Sequence, residues 1–483
     1  MLVDMRKRSR TRFGGVLVCG LLVLAGCTRV HVAQVPPLQG PVACQAVVPE
    51  RDVLVGVSLS GGGSRAALFA AAGLEALAGL RTAAGTSALE QVALLSSVSG
   101  GSLAASYYAL EKPAREVPVL TPTGAVSDAY RAFFERYRTA LSQDFERRLL
   151  RRHLASFRWF NSFLAAYALA GVLEERLVGD ATMRDVGLRE ARGDSPGLII
   201  NSTLYNNGRR LMVTTLPPDA FRYDFVKDFE AAQVRRGRPA GVDPLVRQHW
   251  EQLLPLTPVD IGADPCPMRL AGAVTGSASF PPLIGPISLQ VGGQATYWHA
   301  GDGGLYENQG AESLLFLLLR QLQEGRARRV LLLGFDSSFP FAVGDRRLSQ
   351  RAKPFSMLNF DFSRVPSIME ERATSYRTLF FRSLQAEGVF PGSETIRVVP
   401  LRHIEARWRD DLSDLPSACH RVTPPLQSVT AVQERLAEIP TRLRVASECD
   451  RQLLATAAAK VVGQQRQSIL EFLDAPVQRA GQP

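Results

Sequence analysis

The stretch Ser96-Ser97-Val98-Ser99-Gly100-Gly101 follows the apolar run Val92 to Leu95 and precedes an Ala- and Leu-rich stretch. This order predicts a strand, a sharp turn and a helix. A serine at the tip of such a turn is placed as a nucleophile elbow requires, and the glycines after it permit a sharp turn and close approach of a substrate. We therefore interpret Ser99 as a nucleophile, with Ser97 as second choice. The alternative is a serine that only caps the helix.

A second glycine turn, Ser60-Gly61-Gly62-Gly63-Ser64-Arg65-Ala66, lies one helix earlier, after the apolar run Asp52 to Leu59. Such a turn points backbone N–H groups outward at a helix N-terminus, where they hold an anion. Gly61, Gly62, Gly63 and Gly100 are therefore predicted to form an oxyanion hole, with the N–H groups of the last three as donors. The alternative is a nucleotide phosphate loop, but its lysine and its Gly-x-Gly-x-x-Gly spacing are missing.

The third cluster, Asp302-Gly303-Gly304, supplies a carboxylate that could act as a base, although Asp-Gly is also a frequent turn dipeptide. An aspartate is a weak base unless it is desolvated, so apolar surroundings are expected. An α/β-hydrolase triad would run Ser, Asp, His along the chain, and His403 or His420 could formally complete it. The oxyanion turn lies only one helix before the serine, which argues against that class. His299 is expected to be packed rather than catalytic.

In this order the three clusters resemble the patatin-like phospholipases, and Gly-Gly-Gly-Ser-Arg-Ala resembles the related cytosolic phospholipases, over roughly residues 51 to 465. The resemblance implies a two-residue dyad of Ser99 and Asp302, and contact of Arg65 with a lipid phosphate. The chain departs from the family pattern at three places. These are Ser97 and Ala66, where glycine is usual or frequent, and Asn308-Gln309-Gly310, where many members have Asn-Asn-Pro. Three further stretches are similar to the family: Asn201-Ser202-Thr203 with Gly208-Arg209, Ala278-Ser279-Phe280-Pro281, and Ile439-Pro440-Thr441-Arg442-Leu443.

This resemblance implies a hydrolase of fatty-acyl esters in membrane phospholipids or other lipid esters, acting through an acyl-serine without a metal or organic cofactor. The alternatives are a lipid transacylase, which passes the acyl group to an alcohol instead of water, and a catalytically silent envelope lipoprotein. The alternation of strands and helices around the two glycine turns favours an α/β fold, with a layered, mainly parallel sheet flanked by helices.

The first 26 residues read as a signal peptide, with a basic start, the apolar run Phe13 to Leu24, and Leu24-Ala25-Gly26-Cys27. The apolar run is short for a membrane span. Leu-Ala-Gly-Cys resembles the lipobox of bacterial lipoproteins, so we expect a lipidated Cys27 that attaches the chain to a membrane surface. The alternative is an ordinary secretory signal. Thr28 favours the outer membrane by analogy with that class.

The remaining cysteines, Cys44, Cys266, Cys419 and Cys449, then lie in a compartment that permits disulfides. Two bridges with three possible connectivities are plausible. Cys419 with Cys449 is the favoured pair, and Cys44 with Cys266 would follow. A net charge of +10 comes almost entirely from arginines, which suit phosphate groups. The sequence has no basic block interleaved with aromatic residues, the pattern that would indicate a nucleic-acid partner.

Residues 27–50 contain four prolines and are expected to be a tether before one acyl-hydrolase domain at 51–483. A helical insertion after the elbow is expected at about residues 112–195. Part of it, from Phe133 to Val178, is rich in arginine and aromatic residues, including Arg147 and Arg151. The favoured interpretation is a solvated basic face over a packed aromatic core. The alternative is a basic amphipathic helix that lies on an anionic lipid surface.

Overall fold

A computed structural model describes residues 32–155, 161–281, 284–338 and 364–476. The expected signal peptide and Cys27 lie outside these residues, as do Phe157, Trp159 and Phe160 of the insertion. The described strands form a nine-stranded sheet: β1 (Val32–Val35), β2 (Val53–Leu59), β3 (Val92–Val98), β4 (Gly197–Leu204), β5 (Arg210–Thr214), β6 (Ile287–Val291), β7 (Tyr297–Asp302), β8 (Arg329–Asp336) and β9 (Ile396–Arg402).

The sheet has the order β1-β6-β7-β4-β3-β2-β8-β9, with β5 pairing to β4 off this path. Strands β4, β3, β2, β8 and β9 run parallel to one another. Helices cover both faces, which is why the central strands are apolar on both sides. In β2, for example, Leu54 packs into the core on one face, while Val55 and Val57 pack into the core on the other. The expected α/β fold is confirmed.

The α-helices of the described ranges follow in chain order. They are α1 (Gly63–Ala78), α2 (Gly100–Glu111), α3 (Asp128–Leu141), α4 (Phe145–Ala155), α5 (Ser162–Leu173), α6 (Met183–Arg192), α7 (Phe225–Arg235), α8 (Pro244–Leu253), α9 (Leu270–Ser277), α10 (Ala311–Gln323), α11 (Arg364–Ala386), α12 (Val429–Glu438), α13 (Glu448–Gln464) and α14 (Arg466–Asp474). The segment after the elbow is helical, as expected, and holds α3 to α6. Within the described ranges, no helix is both long and apolar enough to cross a bilayer.

The expectation of a tether at 27–50 is wrong for its described part. Strand β1 pairs in parallel with β6, and Leu38 N–H donates to Gly262 O at 2.8 Å. Cys44 is bonded to Cys266, and Val48 is buried. Proline content was a misleading signal here, because an edge strand needs only one hydrogen-bonding side and tolerates proline nearby. The second disulfide joins Cys419 to Cys449, so both bridges follow the favoured pairing.

Two strands meet end to end along one edge of β4. Strand β3 pairs in parallel with residues 197–201 of β4, and β7 pairs antiparallel with residues 202–204. Strand β5 occupies the opposite edge, since it pairs with residues 199–203. Because β7 runs against β4, its carboxyl end points toward the carboxyl end of β3. The turn after β3 therefore faces the end of β7, although about 200 residues separate them in the chain.

Candidate active site

Ser99 lies at the turn between β3 and α2 in an unusual backbone conformation, with φ 50° and ψ −118°. In the described part of the chain, Leu412 is the one other non-glycine residue with a positive φ. Such a conformation is strained for a serine and persists only where the surroundings hold it. The backbone N–H of Ser99 donates to Ser277 Oγ at 2.9 Å, at the carboxyl end of α9. The turn has the geometry of a nucleophile elbow.

A buried network of hydroxyl groups lies beneath this turn. Ser277 Oγ donates to the carbonyl oxygen of Asn201 at 2.5 Å and lies 2.9 Å from Ser102 Oγ. Ser102 Oγ donates to Ser97 Oγ at 3.0 Å, and Ser97 Oγ donates to Ile199 O at 3.2 Å. Ser97, which departs from the family pattern, is therefore accommodated by partners for its hydroxyl. The network joins the elbow to β4 and α9.

Asp302 is the last residue of β7, and the Ser99 side chain lies close enough to its carboxylate to lower the pKa of that group. Its Oδ1 accepts from Gly304 N–H at 2.8 Å, and its own N–H donates to Ser279 O at 3.0 Å. The residue is 2% exposed. Burial raises the pKa of Asp302 to about 7, against the lowering effect of the bonds from Gly304 and Ser99. The expected desolvation of this carboxylate is thus present.

The segment Ser277 to Ser279 holds both of these residues in place. It accepts the backbone N–H of Ser99 through a side chain and the backbone N–H of Asp302 through a carbonyl. Sequence reasoning noted Ser279 and Asn201 only as parts of stretches similar to the family and gave Ser277 no role. The one signal in the sequence was the resemblance of Ala278-Ser279-Phe280-Pro281 to the family, which does not show which atoms meet.

The glycine turn before α1 presents backbone N–H groups toward the elbow. Gly62 and Gly63 have φ of 138° and 61°, a region that glycine tolerates best. Gly61 N–H donates to Asn308 O at 2.8 Å, so the inclusion of Gly61 in the oxyanion hole is corrected. The N–H groups of Gly62, Gly63 and Gly100 have no acceptor among the described residues. These three form the candidate oxyanion hole.

The two glycine turns touch each other. A Cβ atom placed on Gly100 would lie 2.0 Å from Gly63 O, and one on Gly61 would lie 3.2 Å from Ser99 Cβ and 2.1 Å from Asn308 Oδ1. A side chain at Gly100 would force the turns apart. Asn308, in the stretch Asn308-Gln309-Gly310 that departs from the family pattern, thus packs against the oxyanion turn, and its carbonyl oxygen accepts the N–H of Gly61. Ala66, another departure from that pattern, is buried in α1.

The expected contact of Arg65 with a lipid phosphate is corrected by its position. Arg65 is 2% exposed, and its Nη1 donates to Ile439 O at 2.6 Å. Burial lowers the pKa of Arg65 to about 10, while the nearby Asp336 raises it. The guanidinium therefore joins the first turn of α1 to the segment Ile439 to Leu443. A phosphate on a bound lipid cannot reach it without displacing that segment.

No histidine in the described part of the chain is hydrogen-bonded to Ser99 or Asp302. His403 is buried against Phe69, and burial together with Arg65 lowers the pKa of His403 to about 3. His299 Nδ1 lies 2.9 Å from Ser288 Oγ, and His420 is exposed. The described residues also hold no group of three or more His, Cys, Asp or Glu side chains that could bind a metal ion. The arrangement is a serine and a carboxylate beside three N–H donors.

The model of the patatin-like phospholipase family matches residues 57–315, which is more than half of the chain. Among solved structures, human GIVD cytosolic phospholipase A2 is similar at 14% identity, with a TM-score of 0.41, over 88% of this chain and 60% of that chain. Its complex with methyl gamma-linolenyl fluorophosphonate is similar at 16% identity, with a TM-score of 0.37, over 88% and 58% of the two chains. This chain thus spans about three fifths of the length of those structures. No curated protein matches it.

Proposed function

The chain belongs to the patatin-like phospholipase family, and from this premise we propose that it is a serine acyl hydrolase that cleaves fatty-acyl esters of membrane lipids. The observation that supports this most strongly is the buried carboxylate of Asp302 beside the Ser99 side chain, which lowers the pKa of that carboxyl against the effect of burial. A strained serine, a basic carboxylate and unpaired N–H donors in one place are the parts that acyl transfer requires.

In the proposed reaction, Ser99 Oγ attacks the ester carbonyl carbon while Asp302 accepts the hydroxyl proton. The negative charge that develops on the carbonyl oxygen is held by the N–H groups of Gly62, Gly63 and Gly100, each of which contributes about 3–4 kcal/mol in comparable sites. Asp302 then gives the proton to the leaving alcohol, and an acyl-serine remains. A water molecule, deprotonated by the same carboxylate, attacks the acyl-serine and releases the fatty acid.

The raised pKa of Asp302 makes this carboxylate suitable as a base. A general base is most effective when its pKa lies near the working pH, and an aspartate in water, with a pKa near 4, is too weak. Burial raises the pKa of Asp302 to about 7. The same group is then ionised in a large share of molecules at neutral pH and still binds the serine proton well.

A fluorophosphonate probe with a fluorescent tag tests this proposal directly. We expect one covalent adduct per chain, located on Ser99 by peptide mass spectrometry, and hydrolysis of a short-chain nitrophenyl ester. Ser99→Ala should lose both, and Ser97→Ala is the matched control, because Ser97 is a buried serine of the same turn. An adduct on another residue, or ester turnover by Ser99→Ala above background, would contradict the assignment. Absence of both in the wild-type chain would indicate a silent fold.

We also propose that Cys27 is lipidated and that the protein is attached to the bacterial outer membrane. The support is the sequence Leu24-Ala25-Gly26-Cys27 after a basic and apolar start. The two disulfides of the described chain fit an exported protein, because disulfides persist in oxidising compartments.

A further inference from the structure

The outer face of α11 is apolar and exposed. On a helix with 3.6 residues per turn, its large exposed side chains fall within an arc of about 120°, with Arg372 near the centre. They are 49–65% exposed and comprise Ile368, Met369, Tyr376, Leu379 and Phe380. The Arg372 guanidinium lies over the Tyr376 ring at 5.5 Å. Scattered exposed apolar residues are normal, but a contiguous set of five on one helix indicates an interaction surface.

The opposite face of α11 lies on the loop that follows Asp302. Arg377 lies 3.9 Å from Glu307 and 3.3 Å from Glu312. Asn308, the neighbour of Glu307, accepts the N–H of Gly61. The apolar face of α11 is therefore separated from the oxyanion turn by one helix and one loop.

Helix α4 presents a second exposed face, in which arginine and leucine alternate. Arg147, Leu150, Arg151 and Leu154 follow the spacing i, i+3, i+4, i+7, which places them on one side of the helix. All four are exposed, the two leucines by 52% and 49%. Among the described residues, neither arginine has a carboxylate partner. The buried Leu149 fixes the other side of the helix in the core.

Helix α4 also lies close to the oxyanion turn, on another side. The N–H of Glu146 donates to Leu443 O at 3.3 Å, and the neighbouring Arg442 O accepts the N–H of Ser64 at 2.7 Å. The two exposed faces, on α4 and α11, thus belong to elements that contact the site from two directions. We call them together the α4/α11 surface.

We propose that the α4/α11 surface binds an anionic phospholipid bilayer and holds the active site close to it. This inference rests on the proposed function, since it names the physical form in which the lipid substrate is met. Leucine and aromatic side chains with arginines beside them are typical of segments that lie in a membrane interface. Arginine forks bind phosphate oxygens, and neither stripe contains a carboxylate that an anionic headgroup would repel.

Flotation with vesicles tests the proposal without requiring catalysis. The full chain carrying Cys27→Ala and Ser99→Ala is mixed with vesicles of phosphatidylglycerol or of phosphatidylcholine, so that neither a lipid anchor nor hydrolysis contributes. We expect binding to phosphatidylglycerol to exceed binding to phosphatidylcholine and to weaken as salt rises. Leu150→Ser with Leu154→Ser, and Met369→Ser with Leu379→Ser, should each weaken binding about tenfold or more. Arg147→Gln with Arg151→Gln should remove most of the preference for phosphatidylglycerol.

The matched control is Arg184→Gln with Leu188→Ser. These two residues are exposed on α6 and four positions apart, and Leu188 is 52% exposed, as is Leu150. The control should bind vesicles as the parent does. With Ser99 restored, every variant should hydrolyse a soluble ester within about twofold of the parent, which shows an intact site. If soluble ester hydrolysis fails in the parent, the proposed function fails while the vesicle result still stands.

The proposal would be overturned if the α4 and α11 variants bound vesicles as well as the α6 control does. So would a concentration-dependent dimer, seen by analytical ultracentrifugation, that the same substitutions dissociate, because the surface would then bind a second copy of this chain. Equal loss of binding in the α6 control would show a nonspecific effect of removing exposed leucines and would also reject the assignment.

Discussion

At the scale of single residues, Asp302 shows how a site can be favourable for chemistry and unfavourable for folding. The pKa of Asp302 is raised from near 4 in the unfolded chain to about 7 in the fold because the carboxylate is buried. A raised carboxyl pKa means that ionisation opposes folding. The penalty is absent below pH 4, grows as the pH rises through 4 to 7, and is complete above 7.

Asp302→Asn should therefore stabilise the protein while it abolishes activity. Asparagine keeps an oxygen for Gly304 N–H and can donate its amide to Ser99, but it carries no charge to desolvate and cannot accept the serine proton. At pH 8 we expect a gain in the free energy of unfolding on the order of a few kcal/mol, and a fall in acylation rate of several orders of magnitude. Urea unfolding at pH 8 and at pH 4 measures the difference, which should vanish at pH 4. A variant less stable than wild type at pH 8 would contradict the burial argument.

The same pKa predicts the pH dependence of the reaction. The carboxylate must be ionised to act as base, so kcat/KM should rise with pH along an acid limb centred near 7. Because an unperturbed imidazole titrates near 6.5, the position of the limb does not distinguish a dyad from a triad. Substitution does: His299→Gln, His403→Gln and His420→Gln should each keep most activity and the same limb. If one of these histidine variants folds and is as inactive as Asp302→Asn, the site is a triad.

Ser277 is the residue whose role the sequence did not indicate. Ser277→Ala removes the acceptor for the backbone N–H of Ser99 and leaves a buried donor without a partner. We expect kcat to fall roughly 10- to 100-fold, as for misplacement of a reacting group, with KM nearly unchanged. The control is Ser279→Ala, at another fully buried serine. Ser279 contacts Asp302 through its backbone carbonyl, which the substitution keeps, and the hydroxyl that is lost donates to Thr275 O. Equal effects of the two substitutions on kcat would reject a positioning role for Ser277.

At the scale of elements, the two strand-turn-helix units are the part of the fold that local sequence determines best. Apolar runs, glycine turns and Ala/Leu-rich helices follow one another within about 30 residues in each unit, so the order of β2, α1, β3 and α2 follows from the sequence. The glycines of each unit permit its sharp turn, and they also let the two turns come into contact. This contact predicts that a substitution in one turn disturbs the other.

Gly100→Ala should disrupt both turns at once. Its Cβ would lie 2.0 Å from Gly63 O, and neither backbone can move without moving a helix N-terminus. We expect a loss of stability of about 2 kcal/mol or more and loss of ester hydrolysis. Gly463→Ala in α13 is the control, since a Cβ there meets nothing within 4 Å, and helix propensity favours it by about 1 kcal/mol. Thermal unfolding and fluorophosphonate labelling measure both effects, and a Gly100→Ala protein that labels normally would show that the turns are not interlocked.

Strands β1 and β7 and the burial of Arg65 could not be predicted because long-range pairing decides them. Strand β1 pairs with β6 more than 250 residues away, and the prolines around it favoured a tether. Strand β7 is placed by pairing antiparallel to β4, so the meeting of Asp302 with Ser99 was expected only from the family resemblance. Arg65 was predicted to contact lipid because its motif resembles that of the cytosolic phospholipases, whereas the fold buries it against Ile439. A side chain's burial depends on elements that a local pattern does not contain.

At the scale of the whole molecule, two different attachments to a membrane are proposed, and they predict different behaviour. Lipidation of Cys27 would hold the chain irrespective of salt, because an acyl chain inserts through its apolar area. The α4/α11 surface would hold it through arginines and a limited apolar area, and salt weakens the electrostatic part of such binding.

Cys27→Ala separates these two attachments in cells. In the wild type we expect the protein in the outer-membrane fraction. It should stay there during a wash with 1 M salt, which screens charges over a length of about 3 Å. In Cys27→Ala we expect it to leave that fraction in high salt, while hydrolysis of soluble esters by the purified protein stays unchanged, because the substitution alters none of the residues that form the site around Ser99 and Asp302. Cys19→Ala is the matched control, since it lies before the expected cleavage site. If the Cys27→Ala protein stayed in the membrane fraction after the salt wash, an attachment other than the lipid would be required. If the α4/α11 substitutions then released the protein, that attachment would lie on the α4/α11 surface.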